Sequence, residues 1–173
     1  SMISEKIKRG IAQTLLLVCG MMYEVKGIDI NFFEKHSVLL TFSHASNSDA
    51  FLLASTTPVR NYALTKKELF CFPFFSWLAF ATGGIPVDRK NRDKAIGALN
   101  RTSAAAQTSH ICVCIAPEGT RSVTGQICPF KKGAFYMWED LKIPIVPVVM
   151  VGAYDLYPRG DLFYRAMMYY CNI

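Results

Sequence analysis

One histidine and one aspartate stand five positions apart in the polar stretch His44–Asp49 (HASNSD). An imidazole titrates near neutral pH and can accept the proton of an alcohol as that alcohol attacks a carbonyl carbon. A carboxylate beside the imidazole fixes its tautomer and stabilises the imidazolium, as in the serine-protease triad. On one regular helix this spacing would put the two side chains on different faces, so the pair requires a loop that enters a helix. Taken alone, the pattern also fits a surface-loop histidine followed by an unrelated helix-start charge.

The residues around this pair predict the turn that it needs. Ser37–Phe42 is a short apolar run and predicts a buried strand, Ser43–Ser48 predicts a loop, and Asp49–Ser55 predicts a helix. We therefore expect a strand–loop–helix unit that folds the histidine back over the aspartate.

Apolar runs and helical composition predict the remaining elements. The predicted strands are Tyr62–Leu64, Ile85–Val87, His110–Ile115, Ile145–Val151 and Tyr169–Ile173, and the predicted helices are Leu69–Ala81, Asp93–Ser109 and Gly133–Leu141. Pro147 predicts that its strand is an edge strand or ends irregularly. Strands that alternate with helices indicate a single α/β domain with a mixed, mostly parallel sheet flanked by helices.

The composition of residues 1–23 predicts an N-terminal helix, and three environments fit it. Its apolar part, Ile11–Tyr23, is shorter than the ~20 residues needed to span a bilayer, and a basic cluster at residues 6–9 precedes it. An amphipathic helix in a membrane interface, the remainder of an anchor and a helix packed on the core all fit this pattern. The opening Ser1-Met2 is typical of a tag remnant, so we expect a fragment of a longer protein, truncated at either end.

Composition and charge limit the classes of binding partner that we expect. The chain has 173 residues, of which 51% are hydrophobic, and the mean hydropathy is +0.22. Lys and Arg outnumber Asp and Glu by 19 to 13, and the formal charge of +6 favours an anionic membrane surface, phosphorylated substrates or nucleic acid. Nucleic acid is the weakest of these options, because zinc-finger spacing, an aromatic RNA-binding signature and a long basic run are all absent. The six cysteines are scattered and form no CxxC pair, so we predict reduced thiols, no disulfides and no metal site.

Four blocks resemble, in order and spacing, the glycerol-phosphate and lysophosphatidate acyltransferase family. His44–Asp49 matches its H-x4-D block, and Gly84–Arg89 looks like its Gly-apolar-x-apolar-x-Arg block. Pro117–Ser122 (PEGTRS) is close to its P-E-G-T-R-S block, and Ile143–Val148 is similar to its proline-containing apolar strand. PEGTRS is the most specific of the four. Ser43 departs from the Asn that the family commonly carries before the histidine.

The resemblance implies an O-acyltransferase domain over residues 24–173 and an active site that faces the cytosol from a membrane surface. It implies transfer of a fatty acyl group from acyl-CoA or acyl-carrier protein to the free hydroxyl of lysophosphatidate, with His44 as general base, Asp49 as its partner and no further cofactor. The family's second and third blocks are associated with acceptor binding. The residues to which this assigns that role are Arg89, Glu118, Gly119, Thr120 and Arg121, and Lys67 is a weaker addition.

The chemistry of these residue types agrees with that assignment. Arginine presents a planar fork that suits phosphate oxygens, and glycine lets backbone N–H groups approach a ligand closely. Glu118 is better interpreted as an organiser of the basic groups than as a phosphate ligand. For Lys67 a solvated surface charge is the alternative.

Two points about the reaction stay open in the sequence. Direct transfer needs no enzyme nucleophile, and no G-x-S-x-G elbow is present, so a covalent acyl-enzyme is the less favoured route. Acyl-chain binding is predicted for large apolar residues of two segments, although core packing is the alternative for each. These candidates are Phe72, Phe75, Trp77, Ile145, Val146 and Pro147.

Other functions fit the same motifs. The acceptor could be another lysophospholipid, a different lipid or glycerol phosphate. A thioesterase would use water in place of the alcohol, and a lipid-binding module with a vestigial site would show no turnover.

Overall fold

A seven-stranded sheet forms the centre of the part of the chain that the structure describes, a computed structural model covering residues 2–27, 29–71, 76, 79, 84–87, 110–161 and 168–172. Its strands are β1 (Met22–Lys26), β2 (Val38–Phe42), β3 (Arg60–Lys66), β4 (Gly84–Val87), β5 (Ile111–Ile115), β6 (Ile145–Val151) and β7 (Met168–Asn172). The described helices are α1 (Met2–Val18), α2 (Ile30–Lys35), α3 (Asp49–Thr56), α4 (Lys132–Leu141) and α5 (Ala153–Leu156), with a 3₁₀ helix at Lys67–Cys71.

The strand order is β1-β7-β6-β2-β5-β3-β4. Neighbours from β6 to β4 are parallel, β6 and β7 are antiparallel, and β7 and β1 are parallel. The predicted mixed, mostly parallel sheet is therefore confirmed. Because β6, β2 and β5 run in the same direction, the loops that follow them meet at one end of the sheet, which we call the carboxyl end.

The central strands are covered on both faces of the sheet. This explains why their amino-acid sequences are unbroken apolar runs. On one face, Leu40 of β2 packs in a cluster with residues of α1, α2 and α3, among them Phe33 and Leu52. On the other face, Leu39 packs with β5 and with Met137 of α4. The site that follows β2 is thus held by a strand fixed from both sides.

Two of the described cysteines lie close together in the core. Each cysteine whose side chain is described is free, and Cys112 and Cys114 lie buried in β5 with their sulfur atoms 3.7 Å apart. Burial raises the pKa of the Cys114 thiol well above its ordinary value, so it stays protonated and unreactive.

The prediction that Pro147 marks an edge strand was wrong, since β6 lies between β2 and β7. The amide of Leu39 donates to the carbonyl of Pro144 (2.8 Å), and the amide of Ser43 donates to the carbonyl of Val148 (3.4 Å). This alternation turns even-numbered β6 residues toward β2 and leaves the nitrogen of Pro147 facing away from it. Pairing with β7 begins only at Val149, so no ladder bond in the described sheet is lost at the proline.

The N-terminal helix is shorter than the predicted 1–23 segment. It ends at Val18, and Gly20 follows in the left-handed region (φ 68°), where glycine carries no steric penalty. The next residues form β1, a strand that the sequence patterns did not predict. Arg9 Nε donates to the carbonyl of Ser55 (2.9 Å), so one face of α1 packs on α3.

None of the helices in the described part of the chain has both the length and the apolar composition to cross a bilayer. The predicted helix Asp93–Ser109 and most of Leu69–Ala81 lie outside the described residues. Of the described residues in the second range, 69–71 belong to the 3₁₀ helix, and 76 and 79 are α-helical.

Candidate active site

A buried carboxylate shapes the loop that carries His44. Asp49 is fully buried at the start of α3, and its Oδ2 lies 2.8 Å from His44 Nδ1. The same oxygen accepts the backbone N–H groups of Ala45 (3.0 Å) and Ser46 (2.9 Å). Three donors converging on one oxygen fold the loop around the carboxylate, so the histidine reaches it despite the five-residue spacing.

The contact with Asp49 leaves one ring nitrogen of His44 for chemistry. A carboxylate acceptor favours the tautomer with its proton on Nδ1, so Nε2 carries the free lone pair. The His44 side chain is 25% exposed and lines a cleft of about 420 Å³, while the ring of Phe42 stands edge-on to it at 5.5 Å. The imidazole is oriented on one side and accessible on the other, as a general base requires.

The segment that follows β5 clamps the backbone of His44. Glu118 Oε1 accepts the N–H of His44 (2.8 Å), and the N–H of Ser122 donates to the carbonyl of His44 (2.7 Å). Glu118 Oε2 accepts the N–H of Cys128 at 2.8 Å. One side chain therefore ties the histidine loop to the loop formed by residues 121–130.

Glu118, which we predicted to take part in acceptor binding, has backbone groups as its hydrogen-bond partners. The residue is 1% exposed at the floor of the cleft, and each carboxylate oxygen already accepts a backbone N–H. It organises two backbone segments rather than the basic groups that we expected it to organise. The motif spacing could not reveal this role, because its partners are backbone atoms.

Gly119 forms a tight turn against a lysine that sequence reasoning missed. The glycine has φ 69°, and a Cβ placed on it would lie 2.9 Å from Lys131 Cδ and 3.1 Å from Lys131 Nζ. The amide of Lys131 donates to the carbonyl of Pro117 (2.8 Å), which anchors the lysine beside the turn. Its position twelve residues after the glycine, just before α4, offered no local signal.

A second missed cation contacts the same turn through the neighbouring threonine. Arg159 Nη1 donates to Thr120 Oγ1 at 3.4 Å. Residues Pro158 and Tyr157 accept bonds from Asn47, which holds this segment against the histidine loop. Arg121 follows in the chain and is half-buried. The structure thus brings Thr120, Arg121, Lys131 and Arg159 to the carboxyl end of the sheet.

Two other predicted acceptor residues are not brought into this cluster. Lys67 is exposed and follows β3 at the same end of the sheet, but it does not line the cleft. Arg89 lies outside the described residues.

The apolar wall of the cleft comes from a different part of β6 than predicted. Val149 and Val151 line it together with Ile127 and Tyr154. Ile145 and Pro147 are exposed on the same strand face but outside the cleft. Val146 packs against the core, because alternate strand residues point to opposite faces.

The other predicted acyl-pocket residues, Phe72, Phe75 and Trp77, lie outside the described residues. Ser43, the departure from the family pattern, has a bridging role, since its Oγ accepts the N–H of Met150 at 3.4 Å.

A family model described as Acyltransferase matches residues 23–151 of the chain. The chain belongs to this acyltransferase family. The match includes the His44–Asp49 contact, the Gly119 turn and the β6 wall of the cleft.

Sequence similarity to known acyltransferases supports the same family. The 1-acyl-sn-glycerol-3-phosphate acyltransferase of Saccharomyces cerevisiae is 32% identical over 171 residues, covering 93% of this chain and 56% of that protein. The enzyme of the same name from Cocos nucifera is 30% identical over 151 residues, covering 87% and 48%. This acyltransferase-family chain spans about half the length of these curated relatives.

A solved structure shares the fold. The crystal structure of the 1-acyl-sn-glycerophosphate (LPA) acyltransferase, PlsC, from Thermotoga maritima matches with a TM-score of 0.77 at 19% identity. The match covers 97% of this chain and 66% of that one. The expected α/β architecture is therefore that of a known acyltransferase structure.

Replacing Glu118 with Gln should lower the free energy of unfolding. The amide retains one acceptor oxygen but turns an NH2 group toward the N–H of His44 or Cys128, which leaves that buried donor unsatisfied at a cost of about 1–3 kcal/mol. Urea denaturation of Glu118→Gln measures the change, and Glu139→Gln, on the exposed surface of α4, is the matched control. Equal stability of the two variants would contradict the bracing role.

Proposed function

We propose that this chain transfers a fatty acyl group from an acyl thioester, acyl-CoA or acyl-carrier protein, to the free hydroxyl of lysophosphatidate. The observation that carries the proposal is the 2.8 Å contact between His44 Nδ1 and buried Asp49, with the imidazole lining a cleft that has an apolar wall. Arg121, Lys131 and Arg159 lie at the same end of the sheet. The names of the similar enzymes from yeast and coconut, which specify 1-acyl-sn-glycerol-3-phosphate, support this acceptor.

In the proposed reaction His44 acts twice. Its Nε2 takes the proton of the acceptor hydroxyl as that oxygen forms a bond to the thioester carbonyl carbon. The tetrahedral intermediate then expels the thiolate, which recovers the proton from Nε2, so the products are an ester and a free thiol. Asp49 stabilises the imidazolium between the two steps.

The serines of the histidine loop support direct transfer to the acceptor. Ser46 and Ser48 are buried, and their hydroxyl oxygens lie 2.7 Å apart. The Ser46 hydroxyl also donates to the carbonyl of Tyr157 at 3.0 Å. Side chains engaged in this way are poor candidates for an attacking nucleophile.

The cleft and the cationic cluster at the same end of the sheet suit the two ends of the substrates. Backbone and side-chain donors around Gly119, together with Arg121, Lys131 and Arg159, suit the acceptor phosphate, because cationic groups form short, charge-assisted bonds to phosphate oxygens. The apolar wall of Val149 and Val151 suits an acyl chain, since each buried CH2 contributes ~0.8 kcal/mol.

Mass-spectrometric detection of product from acyl-CoA and a panel of lysolipids tests the proposal. We expect diacyl product chiefly from lysophosphatidate, and His44→Ala should reduce its rate by roughly 10²–10⁴-fold, the usual contribution of a general base. Wild-type turnover by His44→Ala would rule out the assigned base. Preference for another lysolipid would change the acceptor, thiol release without a lysolipid would indicate a thioesterase, and no turnover at all would indicate a lipid-binding module.

The Asp49→Asn variant tests whether the reaction needs the negative charge of Asp49 in addition to the hydrogen bonds by which this residue shapes the loop. The Asn oxygen can still accept the amides of Ala45 and Ser46, so the loop should persist, while the imidazolium loses its carboxylate partner. We expect the rate to fall by on the order of 10³–10⁴-fold with the folded structure kept, by analogy with triad aspartates. Circular dichroism monitors the fold, and the exposed Asp140→Asn is the control. Full activity of Asp49→Asn would remove the aspartate from the mechanism.

Truncating the two missed cations should weaken acceptor binding selectively. Loss of one charged hydrogen bond to phosphate corresponds to about 1.5–3 kcal/mol, so Lys131→Ala and Arg159→Ala should each raise the KM for lysophosphatidate roughly tenfold or more. The KM for acyl-CoA should stay the same, as should both constants in Lys35→Ala, where the lysine ends α2 away from the cleft. A rise confined to the KM for acyl-CoA would instead place the donor at this cluster.

A further inference from the structure

One tyrosine connects two walls of the cleft that holds His44. The first wall is formed by the end of β6 and by α5, which carries Tyr154. The second wall is the loop of residues 122–128, which contains Ile127 and which we call the wall loop. The Tyr154 hydroxyl donates to the backbone carbonyl of Val123 at 2.7 Å. The tyrosine has no part in the proton transfer that we assign to the histidine, so this bond calls for another role.

The tyrosine ring also packs directly on the wall loop. Gly125 has φ 81°, and a Cβ placed on it would lie 2.9 Å from the Cγ and Cδ1 atoms of Tyr154. Glycine allows both this backbone conformation and so close an approach. One side chain therefore holds the loop at two points, through a hydrogen bond at Val123 and through ring contact at Gly125.

The backbone that carries Tyr154 is anchored in the core. Its neighbours Ala153 and Leu156 are buried, and the cap of α5 is Gly152, directly after β6 ends at Val151. The cap glycine takes the left-handed conformation (φ 82°), which lets the chain change direction abruptly after the strand. The position of the wall loop is therefore tied to the core through the tyrosine.

Ile127 lies between two fixed parts of the wall loop. On one side are the two contacts of Tyr154, and on the other the Cys128 amide donates to Glu118 Oε2 at 2.8 Å. Ile127 lines the same cleft as the apolar end of β6, so these bonds fix the gap between the two apolar surfaces. A gap of fixed width rejects added bulk, because extra atoms create strain where the surroundings cannot move.

We propose that Tyr154 is a positioning residue that fixes the width of the apolar side of the cleft and so selects straight acyl chains over branched ones. It acts through the wall loop and not in the proton transfer. The bracing is argued from contacts alone; the nature of the selected molecule, an acyl thioester, rests on the proposed function.

Hydrogen–deuterium exchange of backbone amides tests the bracing. Tyr154→Phe keeps the ring on Gly125 and removes only the hydroxyl bond, so the wall loop should exchange about twofold to tenfold faster, the factor that one hydrogen bond provides. The matched control is Tyr62→Phe in β3, which removes a hydroxyl that accepts a bond from Arg60 (3.4 Å). Its wall loop should exchange as in the unchanged protein. Equal wall-loop exchange in Tyr154→Phe and in the unchanged protein would overturn the proposal.

Equilibrium binding of two isomeric thioesters tests the selection. The probes are decanoyl-CoA and its isomer 4-methylnonanoyl-CoA, and the measured quantity is the ratio of their Kd values. The unchanged protein and Tyr62→Phe should prefer the straight chain roughly tenfold or more, the usual discrimination of one methyl group in an apolar pocket. Tyr154→Phe should reduce that preference about threefold to tenfold. Gly125→Ala, whose new Cβ pushes the ring away from the loop, should reduce it as well.

Transfer measured beside binding separates this inference from the proposed function. A straight-chain preference that falls in Tyr154→Phe, in a protein that transfers no acyl group, would refute only the proposed function. Transfer by both proteins with the same chain preference would overturn only the selection by Tyr154. An equal loss of preference in Tyr62→Phe would also overturn it, because any loosening of the fold would then have the same effect.

Discussion

The described site depends on one carboxylate oxygen, Oδ2 of Asp49, which receives three donors. Two of them are backbone amides of the loop and the third is the imidazole of His44. The two amide bonds give the loop its shape, and that shape brings the ring to the acid. The Asp49 carboxylate therefore has two roles. Its negative charge holds the loop through the two amides, and in the proposed chemistry the same charge stabilises the imidazolium of His44. Because the carboxylate is fully buried, these three bonds are weakly screened and matter more than a surface pair would. The other carboxylate oxygen, Oδ1, is buried without a hydrogen-bond partner among the described residues.

A second buried carboxylate extends this arrangement across the sheet. Glu118 links the backbone of His44 to the loop that carries Ile127, so the base, the cleft wall and the Gly119 turn are connected through hydrogen bonds rather than through apolar contacts alone. This explains why Glu118, within the PEGTRS block, faces inward. The side chains that we propose as phosphate donors follow at positions 120 and 121, and Glu118 fixes the backbone of this block relative to the imidazole.

Much of this could be predicted from sequence, for identifiable physical reasons. The central strands were predictable because both of their faces are buried, and the His44–Asp49 unit because a strand, a polar loop and a helix follow one another. Contacts between distant segments were not predictable: the lysine stem beside Gly119 and the bond from Arg159 to Thr120 depend on loop conformation. The core-facing position of Val146 was not predictable, because an apolar run does not reveal which residues face the core. The short strand β1 was missed because its alternation is weak and its partner, β7, lies at the other end of the chain.

Pro147 also shows which positions of an interior strand can accept a proline. The backbone of β6 turns its even-numbered residues toward β2, so the ring of Pro147 replaces no amide that the pairing with β2 uses. A proline at position 146 or 148 would instead remove a donor to β2. A shift of one residue thus decides whether the same side chain is tolerated or breaks the pairing between β6 and the strand that leads to His44.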